Sequence, residues 1–424
     1  MSTGTVEGLE RELSAARRNV FLLTFAQALL ASAGPIVFSV GGLAGYNLLG
    51  QDKSLATAPL TGFNIGVALG AVLVAIAARM LGRTYGFVVG ALVGAGGGLL
   101  AAIALLRGDF WLFALGFVLV GISSGFAQKI RFAAADASPS FYKPRAISWI
   151  LAGGVISAVL GPQVVILTKD LFEPVLFAGA FVALVPLCGA AIVLFLFLRL
   201  PDHKAAGAAT GQSVRPLREI VLTQRFLTGM VCGISSYALM TFMMTGAPLA
   251  MVIGCGFSPE LATLGIQWHV LAMFAPSFVT GMLIQRFGTE KVVAAGLVIL
   301  MACAGIAHMG IALWNFWGAL ILLGIGWNFG FIGATAIVAS SYRPHEADKV
   351  QGFHDIILFG AVAARCSTPM AGRRSTWCSG RSPASAWCSS SSCFCARAAP
   401  LPEPLRPPAS KNPARRTAYR VAAA

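Results

Sequence analysis

Charge is scarce in this chain. Asp, Glu, Lys and Arg make up 11% of it, against roughly 25% in an average soluble domain. So few charges cannot clothe a water-facing surface, and the 57% hydrophobic content and mean hydropathy of +0.78 point to lipid as the solvent. In lipid only helices and closed barrels satisfy their own backbone groups. Barrel strands would alternate apolar and polar residues over about ten positions. The apolar runs here are unbroken, so the chain is read as all-α and transmembrane. Other things are missing too. No Gly-x-x-x-x-Gly-Lys-[Ser/Thr] phosphate loop occurs, which excludes direct drive by ATP. No Cys or His pair stands at ligand spacing within 1–364, and no catalytic constellation appears, so neither a cofactor, a metal nor an enzyme activity is expected. No span before 356 carries a carboxylate near its middle, which argues against a central Asp/Glu proton relay.

The charge-free intervals count the spans. They are 19–50, 54–78, 84–106, 110–128, 146–168, 174–198, 226–259, 261–284 and 292–342. A span needs about 20 apolar residues. The last interval holds two, with a turn expected near Asn315, and an eleventh begins near Ile356, giving ten full spans and a broken eleventh. Arg17-Arg18 followed by Ala31-Ser32-Ala33 imitates a signal peptide, but apolar sequence continues to Gly50, so an uncleaved first span is expected. Assigning loops alternately with the N-terminus inside places eighteen basic residues up to 364 on the inside and three (Lys53, Arg107, Lys169) outside. That asymmetry orients a multi-pass membrane protein with its N-terminus in the cytoplasm. It also explains the net charge of +15 without nucleic acid.

The chain divides into a cytoplasmic N-terminus (1–18), six spans (19–198), a polar Ala/Gly-rich linker (199–225) and a second, incomplete group (226–364). The two groups are related. AIAARMLGRTYGFVVG at 75–90 and GMLIQRFGTEKVVAAG at 281–296 follow spans two and eight at an offset of 206, with Gly82 over Gly288 and Gly90 over Gly296. Parallel repeats of this kind mark two bundles that rock about a central site. These loops resemble the signature loop of the major facilitator superfamily, Gly-x-x-x-Asp-Arg-x-Gly-Arg-Arg. Gly281, Arg286 and Gly288 match in the second copy, and Gly82 and Arg83 in the first. Arg79 and Gln285 replace the acid, and Ala75 the opening glycine. The stretches RFAAADASPSFYKPRAISWILAGG (131–154) and HVLAMFAPSFVTG (269–281) are similar to a bacterial branch of the family. The resemblance, over about 19–364, implies two six-helix bundles and a monomeric secondary transporter of a small organic solute by alternating access. Since some relatives import riboflavin, it also admits a flavin-like solute. The alternatives are a membrane scaffold or assembly factor on the same fold, and an inactive truncated copy.

Polar residues inside spans are the solute-site candidates. They are Gln27, Asn64, Tyr237, Thr241, Gln267, His269, Trp327 and Asn328, in spans that line the cavity of this family. Amides and aromatics suit a planar solute, while each residue alone is equally consistent with a helix–helix hydrogen bond. His269 is a candidate proton carrier, because the imidazole titrates near neutrality. The gating candidates are Arg79, Gly82, Arg83, Arg131, Arg286, Gly288 and Asp355. The resemblance implies contact between the loop after span two and the start of span eleven, so Arg79 or Arg83 is expected to meet Asp355 when the transporter opens outward. Arg131 has two readings, a solute anion or Asp136. Gly153, Ser157 and Gly161 space small residues for close packing of span five.

Composition changes abruptly at about Arg365. Residues 365–424 hold ten of 31 basic residues, five of nine cysteines and one acid, Glu403. A frameshift near 364–366 accounts for this, and a basic, Cys-rich tail is the alternative. Either way the twelfth span is missing from the sequence.

Overall fold

A computed structural model describes residues 3–139, 141–198, 215–343 and 346–366. All regular secondary structure in these segments is helical. Span one is α1 (Thr3–Ala31) joined to α2 (Ala33–Leu48). Spans two and three are α3 (Ala58–Leu81) and α4 (Arg83–Arg107). Span four is α5 (Phe110–Ala127) with the short α6 (Ile130–Asp136), and span five is α7 (Lys143–Thr168). Span six combines α8 (Ala178–Val182) and α9 (Leu184–Leu196). After the short α10 (Leu217–Val221), span seven is α11 (Gln224–Leu249), finished by a π turn over Ala250–Gly254. Span eight is the bent pair α12 (Pro259–Phe274) and α13 (Ser277–Phe287), and spans nine and ten are α14 (Thr289–Met309) and α15 (Leu313–Ala339). Then α16 (Ala347–Cys366) starts the eleventh. Among the described residues nine helices or helix pairs are long and apolar enough to cross a membrane, and the pair bent by 40° makes ten.

Local chemistry sets the ends of these helices. Asp109 accepts from Leu112 N at 3.0 Å to cap α5, and Thr223 accepts from Phe226 N at 3.3 Å to cap α11. Such caps satisfy backbone donors that a helix start leaves orphaned. Pro276 removes a backbone donor between α12 and α13, which accounts for the bend. The clearest trace of the repeat is in the backbone. Gly82 ends α3 and precedes α4 at φ 83, ψ 162, and Gly288 ends α13 and precedes α14 at φ 88, ψ 152. An L side chain is strained there, so both copies of the loop depend on glycine for the same tight reversal.

Two boundaries follow from the helix assignments. The first helix begins at Thr3 and so includes most of the segment that precedes the first charge-free run. The turn between spans nine and ten falls at Gly310–Ala312, just before Asn315, whose Nδ2 donates to Ile306 O at 3.4 Å from the first turn of α15. The frameshift reading concerns the tail 365–424, which beyond Cys366 lies outside the described residues, as does the missing span.

Small residues let the helices approach. A Cβ at Gly66 would lie 2.1 Å from Val118 O, and one at Gly121 would lie 2.1 Å from Phe63 O, so α3 and α5 touch backbone to backbone. Gly153 and Gly161 of α7 meet Thr24 O and Ser32 O of the first span in the same way. Lipid is as apolar as leucine, so contact of this kind replaces the hydrophobic effect. Between the halves, α3 packs on α16 and α7 on α12, with α2 against α11. The first two contacts are spans two–eleven and five–eight, which exchange under a six-span repeat. The core cluster built around Phe113, Phe117 and Ile266 runs across both halves.

Candidate functional site

A cavity of about 230 Å³ lies between the halves, lined from α1, α2, α3, α5, α6 and α7 on one side and α11, α12 and α15 on the other. Its walls are aromatic. Phe38 and Phe63 face it from the first half, and Tyr237, Phe274, Trp327 and Phe331 from the second. Trp327 and Phe331 sit one turn apart on α15 and stack at 4.8 Å and 13°. Tyr237 leans on Phe331 (5.7 Å) and meets Phe359 edge-on (5.2 Å), which fixes its ring. The polar lining is concentrated in Gln27, Ser124, Gln128, Arg131, Ser157 and Tyr237.

The halves are tied together at both ends. On the face carrying the N-terminus, Lys129 Nζ reaches Asp355 Oδ2 at 3.1 Å, and both side chains are three-quarters enclosed. His354 Nδ1 lies 3.1 Å from the other oxygen of Asp355. On the opposite face Lys169 bridges to Glu260 at 2.7 Å and also contacts its neighbour Asp170. The carboxylates of Asp170 and Glu260 hold the Lys169 ammonium above the ordinary lysine range. Gln163 Nε2 donates to Gln267 Oε1 at 2.8 Å on the same side. A chamber between two breakable sets of contacts is what alternating exposure needs.

The sequence model of the Major Facilitator Superfamily matches residues 19–364. The chain belongs to this family. It is 49% identical over 361 residues to "Riboflavin transporter RfnT" of Brucella anthropi, covering 85% of this chain and 90% of that protein. It is also 27% identical to "Uncharacterized MFS-type transporter YddS" of Bacillus subtilis, over 85% of this chain and 86% of that one. Among solved structures, a partially occluded inward-open form of the xylose transporter XylE from E. coli superposes with a TM-score of 0.65 at 13% identity. It covers 93% of this chain and all of that one. A bacterial homologue of the lysosomal transporter Spinster gives 0.60 at 18%, over 80% of this chain and 77% of that one. The chain is thus a multi-pass membrane transporter of small solutes.

Within that family fold the expected solute residues separate into two sets. Gln27, Tyr237 and Trp327 line the cavity. The others lie outside the cavity lining. Asn64 is fully buried in α3 and donates to Leu60 O at 2.9 Å. Thr241 is fully buried within α11. Gln267 bridges the halves. His269 is fully buried and its Nδ1–H donates to Leu320 O at 2.8 Å, which ties α12 to α15. Asn328 holds the bend of span eight: its Nδ2 donates to Met273 O and to Ser277 Oγ, each at 2.6 Å, and its Oδ1 accepts from Thr280 at 2.5 Å.

The gating pairs also differ from expectation. Asp355 pairs with Lys129, and Arg83 pairs with Asp136 at 2.5 Å inside the first half. The reason is reach: Arg83 opens α4 and meets the end of α6, while Lys129, between α5 and α6, faces the start of α16. Arg79 is exposed at the end of α3, without an ion pair among the described residues. Arg286 is exposed at the end of α13, beside the Phe287 ring. Arg131 meets neither Asp136 nor another acid at bonding distance and lines the cavity instead. Sequence reading had not singled out Ser124, Lys169, Glu260 or His354. The one available signal was that Lys169 is among only three basic residues on the outer face.

Proposed function

We propose that this chain moves a planar, flavin-like heterocycle across the bacterial inner membrane by alternating access, as a monomer with its N-terminus inside. The aromatic chamber between the halves carries the reading, above all the stacked Trp327–Phe331 pair with Tyr237 beside it. Aromatic pairs of this kind contribute about 0.5–1.5 kcal/mol each beyond area burial, and a flat ring entering the chamber gains contacts of the same sort. The likeness to a riboflavin transporter supports the ring system. A scaffold protein on this fold would be expected to fill its centre with apolar side chains, whereas this cavity keeps an arginine and two glutamines. Small-molecule sites run to roughly 300–1,000 Å³, so about 230 Å³ suits a chamber that widens when one face opens.

Coupling to protons is part of the proposal. With no carboxylate at mid-span, the route would run through the charged contact of Asp355 with Lys129 and the buried His354 at the junction of the halves. The test is equilibrium dialysis of the purified chain against riboflavin. Saturable binding that Trp327→Ala weakens about tenfold supports the reading, a loss near 1.4 kcal/mol. Saturable binding indifferent to Trp327, or no binding to the folded chain, overturns it.

A further inference from the structure

Four polar atoms around the cavity have nothing to bond. Gln27 Oε1, Ser124 Oγ, Arg131 Nε and Trp327 Nε1 are each buried without a hydrogen-bond partner, and all four residues line the chamber. Nearly all buried polar atoms in proteins are satisfied, and leaving one unmet costs about 1–3 kcal/mol. Thirteen such atoms occur among the described residues, and these four are the ones that share a space a partner can enter.

The four atoms are not interchangeable. Gln27 Oε1 only accepts, Arg131 Nε and Trp327 Nε1 only donate, and Ser124 Oγ does both. Nearby acids do not quench Arg131 by hydrogen bonding, since Asp136 is held by Arg83 and Asp355 by Lys129 and His354. A carboxylate would satisfy Arg131 but bring no hydrogen for Gln27. An aromatic hydrocarbon would stack on Trp327 and satisfy neither. A flat ring with an N–H beside a C=O satisfies both, with the N–H donating to Gln27 and the carbonyl accepting from Arg131.

We propose that Gln27 and Arg131 together read the imide edge of a fused pyrimidinedione ring whose face lies on Trp327 and Phe331. The inference rests on the flavin-like reading above and deepens it by naming the recognised atoms and the residues that set specificity. Lumichrome carries the same edge without a ribityl chain, so the edge and the whole flavin are separable.

The full-length chain in detergent is dialysed against riboflavin, lumichrome, 3-methylriboflavin and 1,3-dimethyllumichrome, the last two having no ring N–H beside a carbonyl. Wild type is expected to bind each methylated compound about tenfold more weakly than its parent, the loss for one unpaired buried acceptor. Gln27→Leu is expected to bind parent and methylated forms alike at the weaker level. Arg131→Lys, which keeps charge but loses the fork, is expected to weaken both parents about tenfold. Equal binding of parent and methylated compounds by wild type overturns the proposal without appeal to any variant. Retained discrimination in a Gln27→Leu protein of normal elution volume also overturns it, as does a wild type that binds none of the four. Discrimination on lumichrome with no riboflavin binding leaves the edge reading standing and removes the flavin reading.

Discussion

The Lys129–Asp355 contact joins the halves at one face, so it exists only while that face is closed. Replacing Asp355 by Asn removes a charge-assisted hydrogen bond of 3.1 Å whose two side chains are each 25% exposed. An exposed pair is worth about 0–1 kcal/mol and a hydrogen bond to a buried charge about 1.5–3 kcal/mol. Discounting the latter for the remaining exposure leaves about 1.5 kcal/mol, close to a tenfold shift of the closed–open ratio toward open. The assay is the alkylation rate of a single cysteine placed at the cavity-lining Leu151, in a background without other cysteines. Asp355→Asn and Lys129→Met are each expected to speed modification about tenfold, the factor worked above. The reversed pair, Lys129→Asp with Asp355→Lys, is expected to return the rate toward wild type. If both single variants label at the wild-type rate, the contact does not hold this face shut and the reasoning fails.

Other expectations follow from particular contacts. Gly66→Ala drives a methyl into Val118 O and is expected to destabilise the first half by about 1–3 kcal/mol, whereas Gly96→Ala meets nothing within 4 Å and should not lower the thermal midpoint but raise it slightly through the helix preference of alanine. Asn328→Leu strips the bend of span eight of its three hydrogen bonds, an expected loss of about 2–3 kcal/mol visible in the same thermal assay. Outside the membrane, Arg215 holds the Glu346 carboxyl down to about 2 from an ordinary 4.5. A depressed carboxyl stabilises the folded state fully above pH 4.5 and loses that contribution as pH falls toward 2. Hydrogen exchange over 215–222 should therefore accelerate across that window in wild type and not in Glu346→Gln, and equal profiles would refute the assignment.

Much of the architecture was legible because lipid imposes a simple rule, that apolar runs must be helices of fixed minimum length. The repeat was legible because Gly82 and Gly288 occupy one strained backbone conformation that only glycine takes comfortably. The functional detail was less so. A polar residue within a span looks the same in sequence whether it faces a cavity, as Gln27 does, or braces a bend, as Asn328 does. That difference depends on a proline 52 residues away, Pro276, whose missing donor leaves a bend to be held. The ion pairs differ for a related reason: Arg83 and Lys129 are both basic loop residues, and only the placement of the start of α16 beside Lys129 decides which reaches Asp355. Arg131 had two candidate partners in sequence, and its position in the chamber wall is fixed only by the packing of the two halves.

The central claim is tested most directly by counterflow. Vesicles reconstituted with this chain and preloaded with unlabelled riboflavin are given labelled riboflavin outside, with no ion gradient. The account predicts transient accumulation of label that disappears in Trp327→Ala and falls sharply in Arg131→Lys. Counterflow unaffected by both substitutions, or no counterflow by a folded wild type, would contradict it.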